Sequence, residues 1–89
     1  MYKFNGNELT INGKTLVLKQ KQVLLFSALA EKSPTAIKKD DLMNEINVMS
    51  EHSLRQHVNT LRKLIDNSGI KIITHMKFGY AMKKNEVEK

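Results

Sequence analysis

Six polar side chains recur along one side of the segment from Ser50 to Ser68, and their groups are of the kinds that bond base edges and phosphate oxygens. They carry imidazole, hydroxyl, amide and ammonium groups: His52, Ser53, Gln56, Asn59, Thr60 and Lys63. The opposite side holds four apolar residues within about 60° of one another at 100° per residue: Leu54, Val58, Leu61 and Ile65. Because such a stripe must pack on a core, the segment 50–68 is predicted to be a helix whose polar side stays in water.

A shorter helix, Lys39–Ile46, is predicted just before this segment from the spacing of three apolar residues: Leu42, Met43 and Ile46. Only residues 47–49 separate it from Ser50, whose hydroxyl can cap the next helix. Two helices joined this tightly, the second with a polar outer side, are typical of a helix-turn-helix. The long helix is predicted to end at Asn67-Ser68-Gly69, because glycine readily adopts the left-handed conformation that terminates helices.

The residues after the long helix favour a β-hairpin, which in this position is a wing. Ile70–Thr74 is rich in strand formers, 75–79 contains a turn glycine, and Tyr80–Lys83 returns as a second strand. Lys77 is the one long cation at the predicted tip and would enter or straddle a minor groove. Two aromatic side chains are interpreted as anchors of the wing rather than as platforms for bases: Phe78 and Tyr80.

Three further cations admit two interpretations each. Lys38 and Lys39 begin the shorter helix, where they would contact a phosphate or simply remain solvated. Arg62 lies about 80° from the centre of the apolar stripe, at its border, so it would contact DNA or form a structural ion pair.

The chain before the shorter helix is predicted to begin with a β-meander, which serves as scaffold, and to continue with a helix. Two Asn-Gly pairs, Asn5-Gly6 and Asn12-Gly13, each predict a type I′ turn with the pair at its centre. They would connect a three-stranded meander: Tyr2–Phe4, Glu8–Ile11 and Lys14–Leu18. An amphipathic helix, Gln20–Lys32, follows without a capping side chain at its start and ends at Ser33-Pro34. Its apolar side is predicted from five residues: Val23, Leu24, Phe26, Leu29 and Ala30. Ile37 is expected to add one bridging strand residue.

Composition limits the class of protein. Eighty-nine residues support a single core, and we assign one domain to residues 1–84 and a charged, disordered tail to 85–89. The net charge is +6, and residues 51–84 hold seven Lys or Arg against two acids, a distribution typical of a polyanion-binding surface. No apolar run approaches the roughly 18 residues that cross a bilayer. No catalytic motif, metal-ligand set or cofactor site is indicated, so an enzyme is not expected.

Three stretches of the chain resemble the winged helix-turn-helix effector domain of the OmpR/PhoB type. The family pattern L-T-x-x-E/Q appears as Leu18-Lys19-Gln20-Lys21-Gln22, and T-V-x-x-x-I-x-x-L-R-K-x-L appears over 53–65. The wing pattern I-x-T-V-x-x-x-G-Y appears over 72–80. The wing is more similar to the ToxR-like branch, which commonly reads T-V-P-K-R-G-Y, because Lys77 stands two residues before Gly79.

The resemblance implies an α+β fold with an N-terminal antiparallel meander, three helices and a C-terminal β-hairpin wing. It also implies a cytoplasmic, sequence-specific regulator of transcription that binds double-stranded DNA, with helix 50–68 in the major groove and wing 74–80 in the minor groove. Base readout would fall to Gln56, Asn59 and Thr60, and phosphate contacts to His52, Ser53 and Lys63. A membrane-tethered parent protein is also consistent with the branch, although no spanning segment is present here.

The partners and one rival function stay open at this point. Further partners would be RNA polymerase or a co-regulator, and a second copy on repeated half-sites. The loop before the recognition helix contacts polymerase in some members, but here it is shorter, and Asn47 replaces the usual Trp. The alternative is a winged-helix protein-interaction module that modulates another regulator without binding DNA. The shortened loop and the methionines Met43, Met49 and Met76 favour it, because methionine adapts to partner surfaces.

Overall fold

The N-terminal meander forms as an antiparallel sheet. In the computed structural model, which describes residues 2–11, 13–66 and 68–84, it comprises β1 (Tyr2–Asn5), β2 (Glu8–Ile11) and β3 (Lys14–Val17) in that order. Asn5 pairs with Glu8, so the two turn residues are Gly6 and Asn7, and only Gly6 has a positive φ, at 64°. The predicted Asn5-Gly6 type I′ turn was therefore wrong by one position, and a glycine first in the loop is typical of type II′.

The second hairpin follows the prediction where it can be compared. Ile11 pairs with Lys14, which leaves a two-residue loop at 12–13, and Gly13 has a φ of 86°. Asn12 lies outside the described residues. The inner face of the sheet packs Leu9, Ile11 and the adjoining Leu18 into the core.

Helix α1 (Gln20–Lys32) has the predicted bounds and lacks a side-chain cap at Lys19. Its buried side differs from the prediction, because Gln22 and Leu25 are buried while Val23, Leu24 and Ala30 are only partly covered. The apolar residues named from the sequence lay about one position off the true centre of this face. Phe26 completes the helix's contact with the first sheet through edge-on packing against the rings of Tyr2 and Phe4.

A helix-turn-helix follows as predicted. Helix α2 (Lys39–Ile46) buries Leu42 and Ile46, and Asn47 ends it in the left-handed conformation, with φ 59° and ψ 50°. The ammonium group of Lys21 in α1 donates to the carbonyl oxygens of Ile46 and Asn47 at 3.0 and 3.1 Å. These bonds satisfy carbonyls that a helix end leaves without partners, and they fix the turn against α1.

Helix α3 (Glu51–Leu64) begins at the predicted cap, since Ser50 Oγ accepts a hydrogen bond from the Ser53 amide at 3.1 Å. It ends earlier than Asn67-Ser68-Gly69, so that part of the prediction was wrong. After Ile65 the amides bond three residues back, as Ser68 does to the Ile65 carbonyl at 3.0 Å. Asn67 is outside the described residues. Gly69, with a φ of 89°, turns the chain toward the next strand instead of terminating the helix.

The predicted wing is present. Strands β5 (Ile70–His75) and β6 (Gly79–Lys84) form an antiparallel hairpin, and β4 (Ile37–Lys38) pairs with β6, which gives the order β4-β6-β5. Gly79 is required where these strands meet, because a Cβ there would lie 1.8 Å from the Ile37 carbonyl oxygen. The wing base is thereby locked to the start of α2. Among the described helices, none is long and apolar enough to span a membrane.

The predicted apolar stripe of α3 is fully buried. Leu54, Val58, Leu61 and Ile65 are each at most 1% exposed and join one core with residues of both sheets and of the other two described helices. Burying this stripe fixes the rotation of α3, and the rotation decides which polar side chains face solvent.

Candidate nucleic-acid interface

The outward side of α3 carries the polar residues that the sequence assigned to it. Five of them are exposed and are called the recognition face below: His52, Gln56, Asn59, Thr60 and Lys63. Ser53, the sixth, is half-buried, and its hydroxyl accepts from Ser50 Oγ at 3.2 Å. Ser53 is thus part of the helix cap as well as a neighbour of the face. The face offers donors and acceptors without a carboxylate.

Arg62 joins α3 to the wing. Its Nε and Nη2 donate to the Ile72 carbonyl oxygen at 3.1 and 3.0 Å, and Nη2 also donates to Thr74 Oγ1 at 2.6 Å. The guanidinium lies 6.0 Å from the centre of the Tyr80 ring. The structural ion pair expected for Arg62 was therefore wrong, because these acceptors are a carbonyl and a hydroxyl rather than a carboxylate. Its contact with DNA stays a prediction.

One donor of Arg62 reaches the recognition face. Nη1 donates to Asn59 Oδ1 at 3.4 Å, across one turn of α3. Arg62 therefore links the wing backbone to a predicted base-reading side chain.

The two lysines at the start of α2 are placed differently. Lys38 is exposed, whereas the Lys39 ammonium group forms an ion pair with Glu51 at 3.1 Å. The Lys39 amide also donates to the Phe78 carbonyl oxygen at 2.9 Å. Lys38 is thus accessible to a phosphate, while Lys39 already has an acidic partner on α3.

The wing tip presents a cation and two apolar side chains to solvent. Lys77 is exposed, and its φ of 63° places it in the left-handed region at the turn. Met76 beside it is exposed, and Phe78 is 42% exposed, so the expectation that Phe78 anchors the wing was wrong. Tyr80 is half-buried against the core beside the Arg62 guanidinium and does act as an anchor.

A groove of about 390 Å³ runs between α3 and the wing, and Arg55 is the residue in it that sequence reasoning missed. Arg55 is exposed, and the groove walls also include Asn59, His75 and Lys77. The available signal was its spacing, because Arg55 lies seven residues, or about two helical turns, before Arg62 on the same side of the helix. The groove therefore places Arg55 and Lys77 beside the recognition face, and the one carboxylate that lines it, Glu51, is paired with Lys39.

The other flank of α3 packs on α1 through a polar pair. Gln22 Nε2 donates to His57 Nδ1 at 3.0 Å, so this ring nitrogen is unprotonated. Gln22 is 4% exposed, and its Oε1 has no partner among the described residues. Burial, and then the neighbouring ammonium groups of Lys21 and Lys19, lower the pKa of His57 below 6.5. Both the contact and the electrostatics therefore favour a neutral imidazole.

Comparison with known proteins gives the family of this arrangement. Residues 13–82 match the family described as "Transcriptional regulatory protein, C terminal". The chain belongs to this family. The match confirms the OmpR/PhoB-type domain expected from the sequence, and the described α+β winged helix is the corresponding fold.

Several solved structures are similar to this domain along most of its chain. The chain is 28% identical to the DNA-binding domain of Escherichia coli CadC, with a TM-score of 0.77 over 88% of this chain and 79% of that one. The DNA-binding domain of AdeR, solved in complex with an intercistronic region, shares 20% identity, a TM-score of 0.82 and 93% of each chain. The DNA-binding domain of Bacillus subtilis CssR is 19% identical, with a TM-score of 0.78 over 93% of this chain and 100% of that one. No curated protein sequence matches this chain significantly.

Family membership and the relationship to the CadC domain give the general function. This member of the C-terminal transcriptional regulatory family is a DNA-binding domain of a transcriptional regulator.

Proposed function

We propose that this domain binds double-stranded DNA sequence-specifically, with α3 in the major groove and the β5–β6 wing in the adjacent minor groove. The observation that carries the proposal is the juxtaposition of the carboxylate-free recognition face with a groove and a wing tip that carry Arg55 and Lys77. A helix of this size fits a B-DNA major groove, whereas the deep, narrow groove of RNA does not admit it. The backbone of one strand would then pass between α3 and the wing.

The residues divide into base-reading and phosphate-binding groups. Gln56, Asn59 and Thr60 would contact base edges. His52, Ser53, Lys63 and Lys38 would contact phosphates, with Arg55 added from the structure, and Lys77 would lie in or across the minor groove. Lys39 contributes less because it is paired with Glu51, and Arg62 contributes by positioning its neighbours.

The assembly on DNA is also a proposal. A single small module buries only about 600–1,000 Å² on DNA, which favours two copies on repeated half-sites. RNA polymerase or a co-regulator is the further partner that we propose, and Met49, 93% exposed in the turn before α3, is accessible to it. The Lys77-Phe78-Gly79-Tyr80 sequence of the wing supports assignment to the ToxR-like branch. We also propose that the domain acts in the cytoplasm.

Binding to duplexes selected from a randomised library, followed by titration at several salt concentrations, tests the proposal. Lys77→Ala is expected to weaken binding to all sequences and to reduce the salt slope by about 1. Gln56→Ala is expected to reduce discrimination between sequences with little change in that slope. Lys3→Ala is the matched control, because Lys3 is an exposed lysine on β1 of the other sheet and should leave both quantities unchanged.

The same experiment separates DNA binding from the protein-interaction alternative. Failure to enrich any sequence, together with affinity that ignores salt, would contradict the proposal and favour the protein module. That alternative also requires partner binding to survive Gln56→Ala and Asn59→Ala.

A further inference from the structure

The Arg62 side chain is held in one orientation by the wing. It is half-buried, and two of its nitrogens donate to the carbonyl oxygen of Ile72, while Nη2 also donates to the Thr74 hydroxyl. A planar guanidinium fixed at Nε and Nη2 has its remaining Nη1 in a fixed place as well. That nitrogen points to Asn59 Oδ1.

The contact with Arg62 fixes the orientation of the Asn59 amide. Because Oδ1 accepts from a positively charged group, the amide is oriented with its oxygen toward Arg62 and its NH₂ group away from it. Reversing the amide would bring its NH₂ group against the guanidinium N–H and is therefore unfavourable.

We propose that Arg62 turns the Asn59 oxygen toward the wing and leaves its NH₂ group to lead into the major groove, so that Asn59 selects guanine over adenine. An asparagine that pairs with adenine uses both amide ends, its NH₂ group to N7 and its oxygen to the N6 amino group. Guanine instead presents two acceptors, N7 and O6, to which an NH₂ group alone can donate. This inference rests on the proposed docking of α3 in the major groove.

Gln56 provides the contrast within the same face. Gln56 is exposed, and among the described residues its amide has no intramolecular hydrogen bond, so both of its ends are available for the bidentate pairing with adenine. Two amides one turn apart on α3 are thereby expected to read different bases, and only one of them depends on the wing.

Sequence selection from a randomised duplex library with three proteins tests the inference. The base pair contacted by residue 59 is identified as the position in the selected DNA sequences at which Asn59→Ala no longer prefers one base. At that position the unmodified domain is expected to prefer guanine. Arg62→Lys keeps the positive charge but loses the planar guanidinium, and it is expected to reduce the ratio of guanine to adenine about threefold to tenfold. Asn59→Asp carries no donor and is expected to abolish the guanine preference in favour of cytosine, whose amino group donates.

The outcomes are distinguishable from failure of DNA binding itself. Adenine at the Asn59 position in the unmodified domain would overturn the inference while leaving sequence-specific binding intact. An unchanged guanine preference in a folded Arg62→Lys protein would overturn it in the same way. If Arg62→Lys does not fold, the preferences of the unmodified domain and of Asn59→Asp, which changes an exposed side chain, still decide. A library that yields no enriched sequence would overturn both the docking and this inference.

Discussion

One flank of α3 contacts the wing and the other contacts α1, and both contacts are polar. They differ in charge and in whether every buried polar atom has a hydrogen-bond partner. Toward the wing, the permanently charged Arg62 donates to Ile72, Thr74 and Asn59. Toward α1, the neutral ring of His57 accepts one hydrogen bond from Gln22, whose buried Oε1 is left without a described partner.

This difference indicates which neighbour positions the recognition face. An arginine remains charged at all accessible pH values, and bonds from a charged donor are about twice as strong as neutral ones. The wing-side contact is therefore expected to persist over the accessible pH range. The α1-side contact requires a neutral imidazole and weakens when that ring gains a proton.

Gly79→Ala is the largest expected disturbance of the wing flank. A Cβ at this position would lie 1.8 Å from the Ile37 carbonyl oxygen and 2.9 Å from the Lys39 amide nitrogen, both backbone atoms that cannot rotate away. The pairing of β4 with β6 would have to open, and we expect the free energy of unfolding to fall by about 3 kcal/mol or more in urea titrations.

Gly6→Ala is the control for that substitution. A Cβ at Gly6 meets no heavy atom within 4 Å, but the φ of 64° remains unfavourable for alanine. The expected loss is about 1–2 kcal/mol. Equal losses for the two variants would show that close packing at the wing base is not what fixes the hairpin.

Arg62→Ala is expected to have the next largest effect. It leaves the Ile72 carbonyl and the Thr74 hydroxyl without their cationic donor, so the free energy of unfolding should fall by about 2–3 kcal/mol. Arg62→Lys should recover part of this loss, because a single ammonium group can still reach one acceptor.

Arg55→Ala is the matched control, since both residues are arginines on the same side of α3 and Arg55 is exposed. Its unfolding free energy should change by less than about 0.5 kcal/mol, while its DNA affinity falls. The reverse pattern, a destabilised Arg55→Ala and a stable Arg62→Ala, would contradict the assigned roles.

The pH dependence of stability should come from the α1 flank. The pKa of His57 is lowered in the folded domain by burial and by Lys21 and Lys19, so the unfolded chain binds more protons at pH values between the lowered folded pKa and the unfolded one. His57 should therefore make the domain less stable as the pH falls from above 6.5 through its folded pKa. Urea titrations between pH 5 and 8 should show this slope, and His57→Gln should reduce it. If the slope of the unfolding free energy against pH were unchanged in His57→Gln, the pH dependence would come from another group.

Local signals predicted most of the fold. The Asn-Gly pairs, the apolar spacing of the three helices and the Ser50 cap depend on residues close in sequence, and the predicted strands and helices lie within one or two residues of those found, apart from the end of α3. The errors have local causes too. The first turn shifted because Asn5 pairs with Glu8, and α3 stopped at Leu64 because the chain must turn toward β5 while Ile65 stays buried.

The site was predictable only in its exposed part. Rotation of α3 by its apolar stripe puts Gln56 and Asn59 outside, which periodicity can predict. The partner of Arg62 is a backbone oxygen ten residues away, and that of His57 is a glutamine thirty-five residues away. No sequence spacing encodes these contacts, because they depend on how the wing and α1 pack. The pairing of Lys39 with Glu51 was missed for the same reason.

Gln22→Leu should have the smallest effect and sharpens the contrast between the two flanks. The substitution removes the hydrogen bond to His57, but it also removes the buried Oε1 that has no described partner and adds apolar surface to the core. Because the gain and the loss are of similar size, the free energy of unfolding should change by less than about 1 kcal/mol, compared with the larger loss for Arg62→Ala. A loss of 2–3 kcal/mol for Gln22→Leu would mean that the α1 flank supports α3 as strongly as the wing does, and that Oε1 has a partner, such as a bound water.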